Sequence, residues 1–558
     1  MKKNLLLLTF LINASVLSAQ SFVWAKNVGG TSLDNGLSVT TDASGNVYTT
    51  GYFQGTGDFD PGAGISNLTS VGGTDIFISK LNSAGSLIWV KQIGGPVFDM
   101  GRCIKVDASG NVYTTGNFGN SVDFNPGAGT FSLTTSGAND IFVSKLDASG
   151  NFVWAKKIGG STSDYGYSLD LDASGNVYVT GAFEGTVDFD PGAATFNLVS
   201  SGALDIFVSK LDVNGNFVWA KSIGSTTQDF GMCLTLDASG DVYTAGYFEG
   251  VADFDPSLAT YTLSSTNARD IFISKLNASG NFVWAKKIGG GGNQIANAIT
   301  TDALGNVYTT GDYVNTVDFD PGAGSYTLTT IGLNTNIFVS KLDASGNFVW
   351  AKEMGSSGND YGRGITIDAS GNVLTTGEFS GTVDFDPNGG TTNLVGIGAV
   401  DFFISKLDAF GNFVAAKNIG SPAIGTVGNA ISTDAGGNIY TTGLFSGITD
   451  FDPDAGVFNL TAPGTQSDVF VLKLNSIGTS INETTIDFEI IVYPNPTSFS
   501  INIKTAETIE TIYVYNLLGA VVMKEKNNSF SVEQLPAGVY TLQIKTQNGM
   551  GTTRFVKE

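Results

Sequence analysis

The chain has 558 residues, 42% of them apolar and 14% charged, with 73 glycines, no histidine and a formal net charge of −23. The apolar content is ample for a core, so disorder is excluded, and the missing histidine excludes Ser-His-Asp and Cys-His catalysis together with every His-ligated metal site. The acidity opposes a nucleic-acid partner, favours cations or basic partners, and keeps a large protein soluble.

In chain order, Lys2-Lys3, the apolar run Leu5 to Ile12 and Leu17-Ser18-Ala19 predict a Sec signal peptide over residues 1–19, cut before Gln20. No later stretch has 18 uninterrupted apolar residues, so no transmembrane helix is expected. Tryptophan then occurs at 24, 89, 154, 219, 284 and 350, in steps of 65, 65, 65, 65 and 66. One further step of 65 lands on Ala415, inside a worn copy (Phe413-Val414-Ala415-Ala416-Lys417) of Phe-Val-Trp-Ala-Lys. A fixed period of this length marks a stacked or closed array whose units bury their apolar faces against each other.

Four strand-like segments recur per period, illustrated by Ser168–Leu171 (A), Asn176–Gly181 (B), Asp205–Leu211 (C) and Phe217–Lys221 (D). They are rich in β-branched and aromatic residues and bounded by Gly, Asp, Asn or Ser. Asp-Ala-Ser-Gly-Asn joins A to B and C to D, and suits a type I turn followed by a left-handed glycine. That glycine stands in every A–B turn (Gly45, Gly110, Gly175, Gly240, Gly305, Gly371, Gly437), with an aspartate that bonds its own turn. Four antiparallel strands in seven units predict an all-β, seven-bladed β-propeller over residues 20–476. Segment D comes first (Phe22–Lys26) and the last repeat ends on C (Asp468–Leu474), so the N-terminal strand is expected to complete the last blade. A β-helix would need shorter coils. The Asp-Ala-Ser-Gly-Asn-Val-Tyr and Asp-Ile-Phe-Val-Ser-Lys-Leu-Asp runs resemble the bacterial SBBP β-propeller repeat, over about residues 21–476. That resemblance says little about activity, because propellers host many functions.

Residues 477–486 read as a linker, and the short strands of 487–558 predict a small Ig-like β-sandwich. Its motifs are Tyr493-Pro494-Asn495-Pro496, Val514-Tyr515-Asn516-Leu517-Leu518-Gly519, Leu535-Pro536-Ala537-Gly538-Val539-Tyr540 and the terminal Arg554-Phe555-Val556-Lys557-Glu558. In this order they resemble the type A C-terminal sorting domain of the Bacteroidetes type IX secretion system. The resemblance implies Sec export, passage across the outer membrane by the type IX machinery, and then release or surface attachment.

Three groups of residues are candidates for chemistry. Each B–C connection carries Asp-Phe-Asp-Pro or a variant: Asp58 and Asp60, Asp123 and Asn125, Asp188 and Asp190, Asp253 and Asp255, Asp318 and Asp320, Asp384 and Asp386, Asp450 and Asp452. Carboxylates at i and i+2 lie on one side of an extended chain and with backbone carbonyls suit Ca²⁺. The competing and preferred reading makes the second Asp a turn cap and pairs the first with a segment C lysine. The D–A connections carry Asp34, Asp99, Asp164, Asp229 and Asp360, an acidic mouth if they ring the axis or an Asx turn before glycine if they do not. Glu184, Glu249 and Glu378, at the ends of segment B, are the only acids offered for a carboxylate-only glycoside hydrolase. The lysine rings (Lys80, Lys145, Lys210, Lys275, Lys341, Lys406, Lys473) read as solvated strand faces and the phenylalanine rows as core. Cys103 and Cys233, two periods apart, read as buried free thiols. The expected function is a monomeric, non-catalytic, secreted or surface-bound scaffold for a glycan or protein ligand, with no firm cofactor.

Overall fold

The computed structural model describes residues 22–475 and 490–558, except 267, 331, 423, 424, 465, 506, 507, 516–520, 547 and 548. The expected signal peptide (1–19), the expected linker (477–486) and Gly519 lie outside the described residues. The described residues form strands without a helix, and the chain divides into two compact units, 1–477 and 478–558.

In the first unit the segments of each period pair antiparallel in the order A-B-C-D. The third period shows the pattern: Tyr165–Leu171, Val177–Phe183, Asp205–Leu211 and Phe217–Ile223, with Val177 opposite Leu211 and Ile206 opposite Ile223. Seven such groups follow one another, with A strands beginning at Asn35, Met100, Tyr165, Phe230, Gln294, Tyr361 and Thr426. The last group takes its D strand from the other end of the chain: Phe22–Gly30 pairs antiparallel with Ser467–Leu474, Lys26 opposite Val471. Each A strand also packs on the A strands of its two neighbouring groups, the last on the first.

The turn chemistry follows from one aspartate per turn. Asp42 Oδ1 accepts the backbone N–H of Ser44 (2.9 Å) and Asn46 (3.0 Å), and Gly45 takes the left-handed conformation at φ 74°. The B–C connections are not open loops. Each folds into a short hairpin, as in Thr186–Asp188 against Asn197–Val199. The phenylalanine of Asp-Phe-Asp-Pro pins this hairpin to its sheet: Phe189 is buried, its ring 5.3 Å from Phe183 and 5.1 Å from Phe207.

The lysine rings correct the expectation of solvated faces. Lys80, Lys145, Lys275 and Lys406 are buried. Lys145 Nζ sits 4.8 Å from the centre of the Tyr113 ring and donates to Val213 O (3.4 Å) in the next group. Where Leu374 replaces the tyrosine, Lys406 instead lies 2.9 Å from the Asp368 carboxylate. The segment C lysines therefore serve the A–B turn and the neighbouring group, and none is paired with an Asp-Phe-Asp-Pro carboxylate among the described ion pairs.

Tryptophan links group to group. The indole N–H of each donates to a carbonyl in the C–D turn of the next group: Trp24 to Ser83, Trp89 to Ala148, Trp154 to Val213, Trp219 to Ala278, Trp284 to Ala344 and Trp350 to Ala409, all at 3.2–3.3 Å. The next group after Ala415 has no C–D turn, because its D strand is Phe22–Gly30. A tryptophan at 415 would have nothing to bond, which explains the worn repeat.

In the second unit, Ile491–Tyr493, Ser500–Lys504 and Ser529–Ser531 form one antiparallel sheet, and Val521–Glu525, Ile509–Tyr515, Gly538–Thr546 and Gly549–Lys557 another. They share a core that includes Ile501, Phe530, Val514, Leu542 and Phe555. The Tyr493–Pro496 motif holds the last strand: Asn495 Nδ2 donates to Arg554 O (3.2 Å) and Val556 N–H to Asn495 Oδ1 (2.8 Å). Tyr540 donates to Pro536 O (2.9 Å) and stacks on Phe555 at 5.5 Å, so the Leu535–Tyr540 motif packs against the same strand. Leu535 and Lys557 are buried.

The tryptophan link is testable. Trp219→Phe keeps an aromatic ring and loses the bond to Ala278 O, so urea unfolding should show a loss of about 1 kcal/mol. Ala415→Trp, which has no turn to receive it, should not gain stability.

Candidate functional site

The Asp-Phe-Asp-Pro side chains act on their own hairpins. Asp188 Oδ1 accepts the N–H of Asp190 (3.0 Å) and of Phe196 (2.8 Å), and Asp58, Asp123, Asp253, Asp318, Asp384 and Asp450 make the same two bonds at 2.7–3.1 Å. The second residue of each pair caps the turn that follows. Asp60 accepts the N–H of Gly62, Asn125 that of Gly127, Asp190 that of Gly192, Asp255 that of Ser257, Asp320 that of Gly322, Asp386 that of Asn388 and Asp452 that of Asp454, all at 2.8–3.0 Å. Among the described residues no three Asp, Glu or Cys side chains gather as a metal-holding group. Asp60, Asn125, Asp190, Asp255, Asp320, Asp386 and Asp452 thus make the turn-cap bond of the preferred reading, each giving one oxygen to its own backbone. The physical reason is the proline-containing turn, whose exposed N–H two residues on needs an acceptor and finds it in the adjacent side chain.

The D–A aspartates do not line a mouth. Asp34, Asp99, Asp164, Asp229 and Asp360 are fully buried. Asp99 Oδ2 accepts the N–H of Gly95 (2.7 Å), at the end of strand D, and Oδ1 accepts that of Gly119 (3.0 Å), just past strand B. The other four make the equivalent pair of bonds: Asp34 to Gly30 and Gln54, Asp164 to Gly160 and Glu184, Asp229 to Ser225 and Glu249, Asp360 to Ser356 and Ser380. Gln294 and Thr426 replace this aspartate in the fifth and seventh groups.

A second buried series escapes the sequence reading. Segment C opens on Asp75, Asp140, Asp205, Asp270, Asn336, Asp401 and Asp468, all buried. Each lies against a glycine at the end of strand D, where any side chain would collide: a Cβ on Gly224 would stand 2.3 Å from Asp205 Cγ. In four groups both series are acidic: Asp75 with Asp99, Asp140 with Asp164, Asp205 with Asp229, and Asp468 with Asp34. At the chain junction a Cβ on Gly29 would lie 2.6 Å from Asp34 and 3.1 Å from Asp468, so the two carboxylates share one small space. Burial drives Asp468 up to about 8, with Asp34 adding to the rise and Asn27 easing it. Burial likewise raises Asp99 and Asp205 to about 7, and Asp34, Asp164 and Asp229 to about 6.

These carboxylates fix the backbone at the end of the sheets where A begins, B ends and C begins. There the repeats diverge. The residue before the A-strand glycine (Ala296 in the fifth group) reads Asn35, Met100, Tyr165, Phe230, Ile295, Tyr361 and Val427, and the residue after it Leu37, Arg102, Tyr167, Met232, Asn297, Arg363 and Asn429. The residue after the B-strand glycine reads Tyr52, Asn117, Ala182, Tyr247, Asp312, Glu378 and Leu444. This departure from the repeat is the signal that a consensus reading overlooks.

The divergent side chains join into a belt. Asn429 Nδ2 donates to Asn35 Oδ1 (2.7 Å), and Arg102 Nε to Asn117 Oδ1 (2.9 Å). The Arg102 guanidinium lies 4.6 Å over the Tyr167 ring, which is 6.0 Å from Phe230, itself stacked on Tyr247 at 5.0 Å. Arg269 covers Tyr247 at 4.5 Å and bonds Glu249 (3.1 Å), Asn297 donates to Asp312 (2.8 Å), and Arg363 pairs with Glu378. Below the belt, a channel of about 250 Å³ is lined by the A strands of all seven groups. Cys103 lines it half-buried, a correction to the expectation of full burial, and Cys233 is buried; both thiols are free. Burial raises Asp312 to about 6; Asn297 and Arg363 pull it back and Glu378 adds to the rise.

Comparison with known proteins adds the following. A family described as "Beta-propeller repeat" matches residues 153–182, 283–312 and 349–378, and one described as "Secretion system C-terminal sorting domain" matches 491–558. An uncharacterized WD repeat-containing protein of Acanthamoeba polyphaga mimivirus is 24% identical over 504 residues, 76% of this chain and 36% of the relative. The regulatory protein FlaEY of Caulobacter vibrioides is 22% identical over 197 residues, 35% of this chain and 20% of the relative. The chain therefore spans about a third and a fifth of these relatives' lengths. Among solved structures, Sqt1 from Chaetomium thermophilum gives a TM-score of 0.35 at 11% identity, covering 80% of this chain and 99% of that one. The extracellular domain of a hybrid two-component system from B. thetaiotaomicron gives 0.17 at 10% identity, covering 94% and 86%.

The buried acids set a pH dependence. A carboxyl whose folded pKa is raised contributes stability that is full below its unfolded value and lost as pH climbs through the folded value. For Asp468, Asp99 and Asp205 that window runs from about 4 to about 7–8. Turn aspartates act oppositely: at Asp107 burial pushes up, but bonds from Asn111, Ser109 and Tyr113 together hold the carboxyl below its usual range, so its contribution is lost as pH falls below about 4. Thermal stability should peak between about pH 4 and 5 and decline toward pH 8. Asp468→Asn should match the wild type at pH 4.5 and exceed it at pH 8.

Proposed function

The chain is a β-propeller repeat protein of the SBBP type with a type IX secretion C-terminal sorting domain, and from that premise we propose that it is a seven-bladed propeller displayed or released outside the cell as a non-catalytic binding scaffold. The sorting domain implies engagement with the type IX machinery and export to the cell surface or secretion. The pairing of Phe22–Gly30 with Ser467–Leu474 supports closure of seven four-stranded blades, and the two sheets of residues 490–558 support an Ig-like sandwich.

One observation carries the binding reading: among the positions that differ from unit to unit is a belt of polar and aromatic side chains in contact at one end of a channel. Repeated positions serve blade interfaces and turns, and asymmetric recognition needs residues that differ from blade to blade. Aromatic rings flanked by amides and guanidinium groups suit a saccharide or a polar peptide segment. A glycan array probed with the full chain in calcium and in EDTA is the direct test. Selective binding that Tyr167→Ala abolishes is expected, with a modest fall in melting temperature and the strand signal in circular dichroism retained. Binding lost in EDTA but indifferent to Tyr167→Ala would move the site to the Asp-Phe-Asp-Pro hairpins and make calcium its ligand.

A second reading has its own observation. Asp312, raised to about 6, lies beside Glu378, which Arg363 holds in an ion pair; an unequal acid pair is what carboxylate-only glycoside hydrolysis requires. Glu249 is likewise paired, with Arg269, and does not fit the role of acid. On this reading a reducing-sugar assay across polysaccharides should find an activity that Asp312→Asn lowers at least 100-fold. A panel without hydrolysis leaves the binding scaffold.

A further inference from the structure

Among the described residues the channel mouth contains one cation without a carboxylate partner. Of its arginines, Arg269 is paired with Glu249 and Arg363 with Glu378, and the nearby Lys105 lies 3.3 Å from Asp170. Arg102 has no carboxylate within ion-pair distance among the described residues. It is held by neutral groups: Asn117 Oδ1 at 2.9 Å, Met100 Sδ at 3.7 Å and the Tyr167 ring at 4.6 Å. In a chain of net charge −23, a guanidinium pinned at the lining of a cavity without an acid is spare binding capacity. Its planar fork suits a carboxylate bidentately.

We infer that the ligand of the mouth is a saccharide bearing one carboxylate, a uronate, seated on Arg102. The inference rests on the binding-scaffold reading and names its ligand class. Three features select a sugar acid. The cavity lining beside Arg102 includes the Tyr167 ring, whose apolar edge offers a pyranose a contact next to the guanidinium. The channel wall carries hydroxyls and amides, among them Ser38, Thr235, Asn297 and Asn429; each makes a bond within the protein and keeps a further donor or acceptor site for a sugar hydroxyl. At about 250 Å³ the cavity lies just below the usual range of drug-sized ligand sites, the size of a terminal sugar rather than a folded partner. The protein's own charge also sets how acidic the ligand can be. Its negative field repels a polyanion at long range, whereas one carboxylate can be met locally by one arginine.

The probe is an aldotriouronic acid, two neutral sugars ending in one glucuronate, compared with its methyl ester, which keeps the shape and removes the charge. Calorimetric titration of the full chain should show the acid binding at least tenfold more tightly than the ester. Arg102→Gln should reduce the acid to the ester's affinity, Arg102→Lys should recover part of the difference, and both variants should keep the wild-type melting temperature. Equal wild-type affinity for acid and ester would overturn the role of Arg102 and leave the mouth as a neutral-sugar site. Binding of an acidic peptide such as tetraglutamate, lost in Arg102→Gln, with no binding of either sugar, would overturn the saccharide class. No binding of any probe, together with a blank glycan array, would overturn both this inference and the reading beneath it.

Discussion

The seven groups depend on one repeated contact, the tryptophan N–H given to the carbonyl of the neighbouring turn. It ties the outer strand of one sheet to the turn of the next, beneath a glycine that leaves space for the indole; a Cβ on Gly150 would stand 3.0 Å from the Trp89 ring. A near-identical unit can only make near-identical contacts, so each junction must accept the same geometry. Closing the array with the N-terminal strand costs one turn, and the one junction without an acceptor is the one where Ala415 stands. The lysines above the tyrosine rings reinforce the junctions from the inner side, reaching across to turn carbonyls of the next group, as Lys80 does to Ala148.

A costlier device fixes the other end of the sheets. Burying a carboxylate is unfavourable unless its oxygens are bonded. Asp99 meets that condition with two backbone amides drawn from strands that no ladder bond joins at that point. Asp468 does not meet it, and its carboxyl is accordingly raised furthest of the series. The result is a backbone held rigidly by groups that never reach solvent, on which the side chains of the mouth can vary without disturbing the frame. Rigid support of this kind is what a binding constellation needs.

Strand positions and turn aspartates were legible because they are set locally, by period-two alternation and by the left-handed glycine, and the pairing of the two chain ends because the repeat opens on segment D and ends on segment C. In the Asp-Phe-Asp-Pro motif the second acid is legible as a turn cap, whereas the buried ring of Phe189, which anchors the hairpin to its sheet, is not set by the local pattern. The partners of Asp34 and its equivalents could not be read, because one of them lies 20 residues further on in another strand. The aspartates opening segment C looked like ordinary strand-start residues; only the facing glycine, such as Gly224, reveals that they point inward. The lysines were assigned to solvent because alternation gives a side chain's face and not what the next group lays over it.

The mouth was missed for a different reason. A repeat is read by its consensus, and recognition resides in the departures from it. Drift alone would leave the divergent positions mismatched, since each faces a different neighbour. Instead several changes answer one another, within a group at Arg363 and Glu378, Arg269 and Glu249, and Asn297 and Asp312, and between groups at Asn429 and Asn35. Matched substitutions of this kind let a surface stay folded while it differs from group to group. Within that belt Arg102, answered among the described residues by an amide, a thioether and an aromatic ring and by no carboxylate, is where a complement from outside the chain fits.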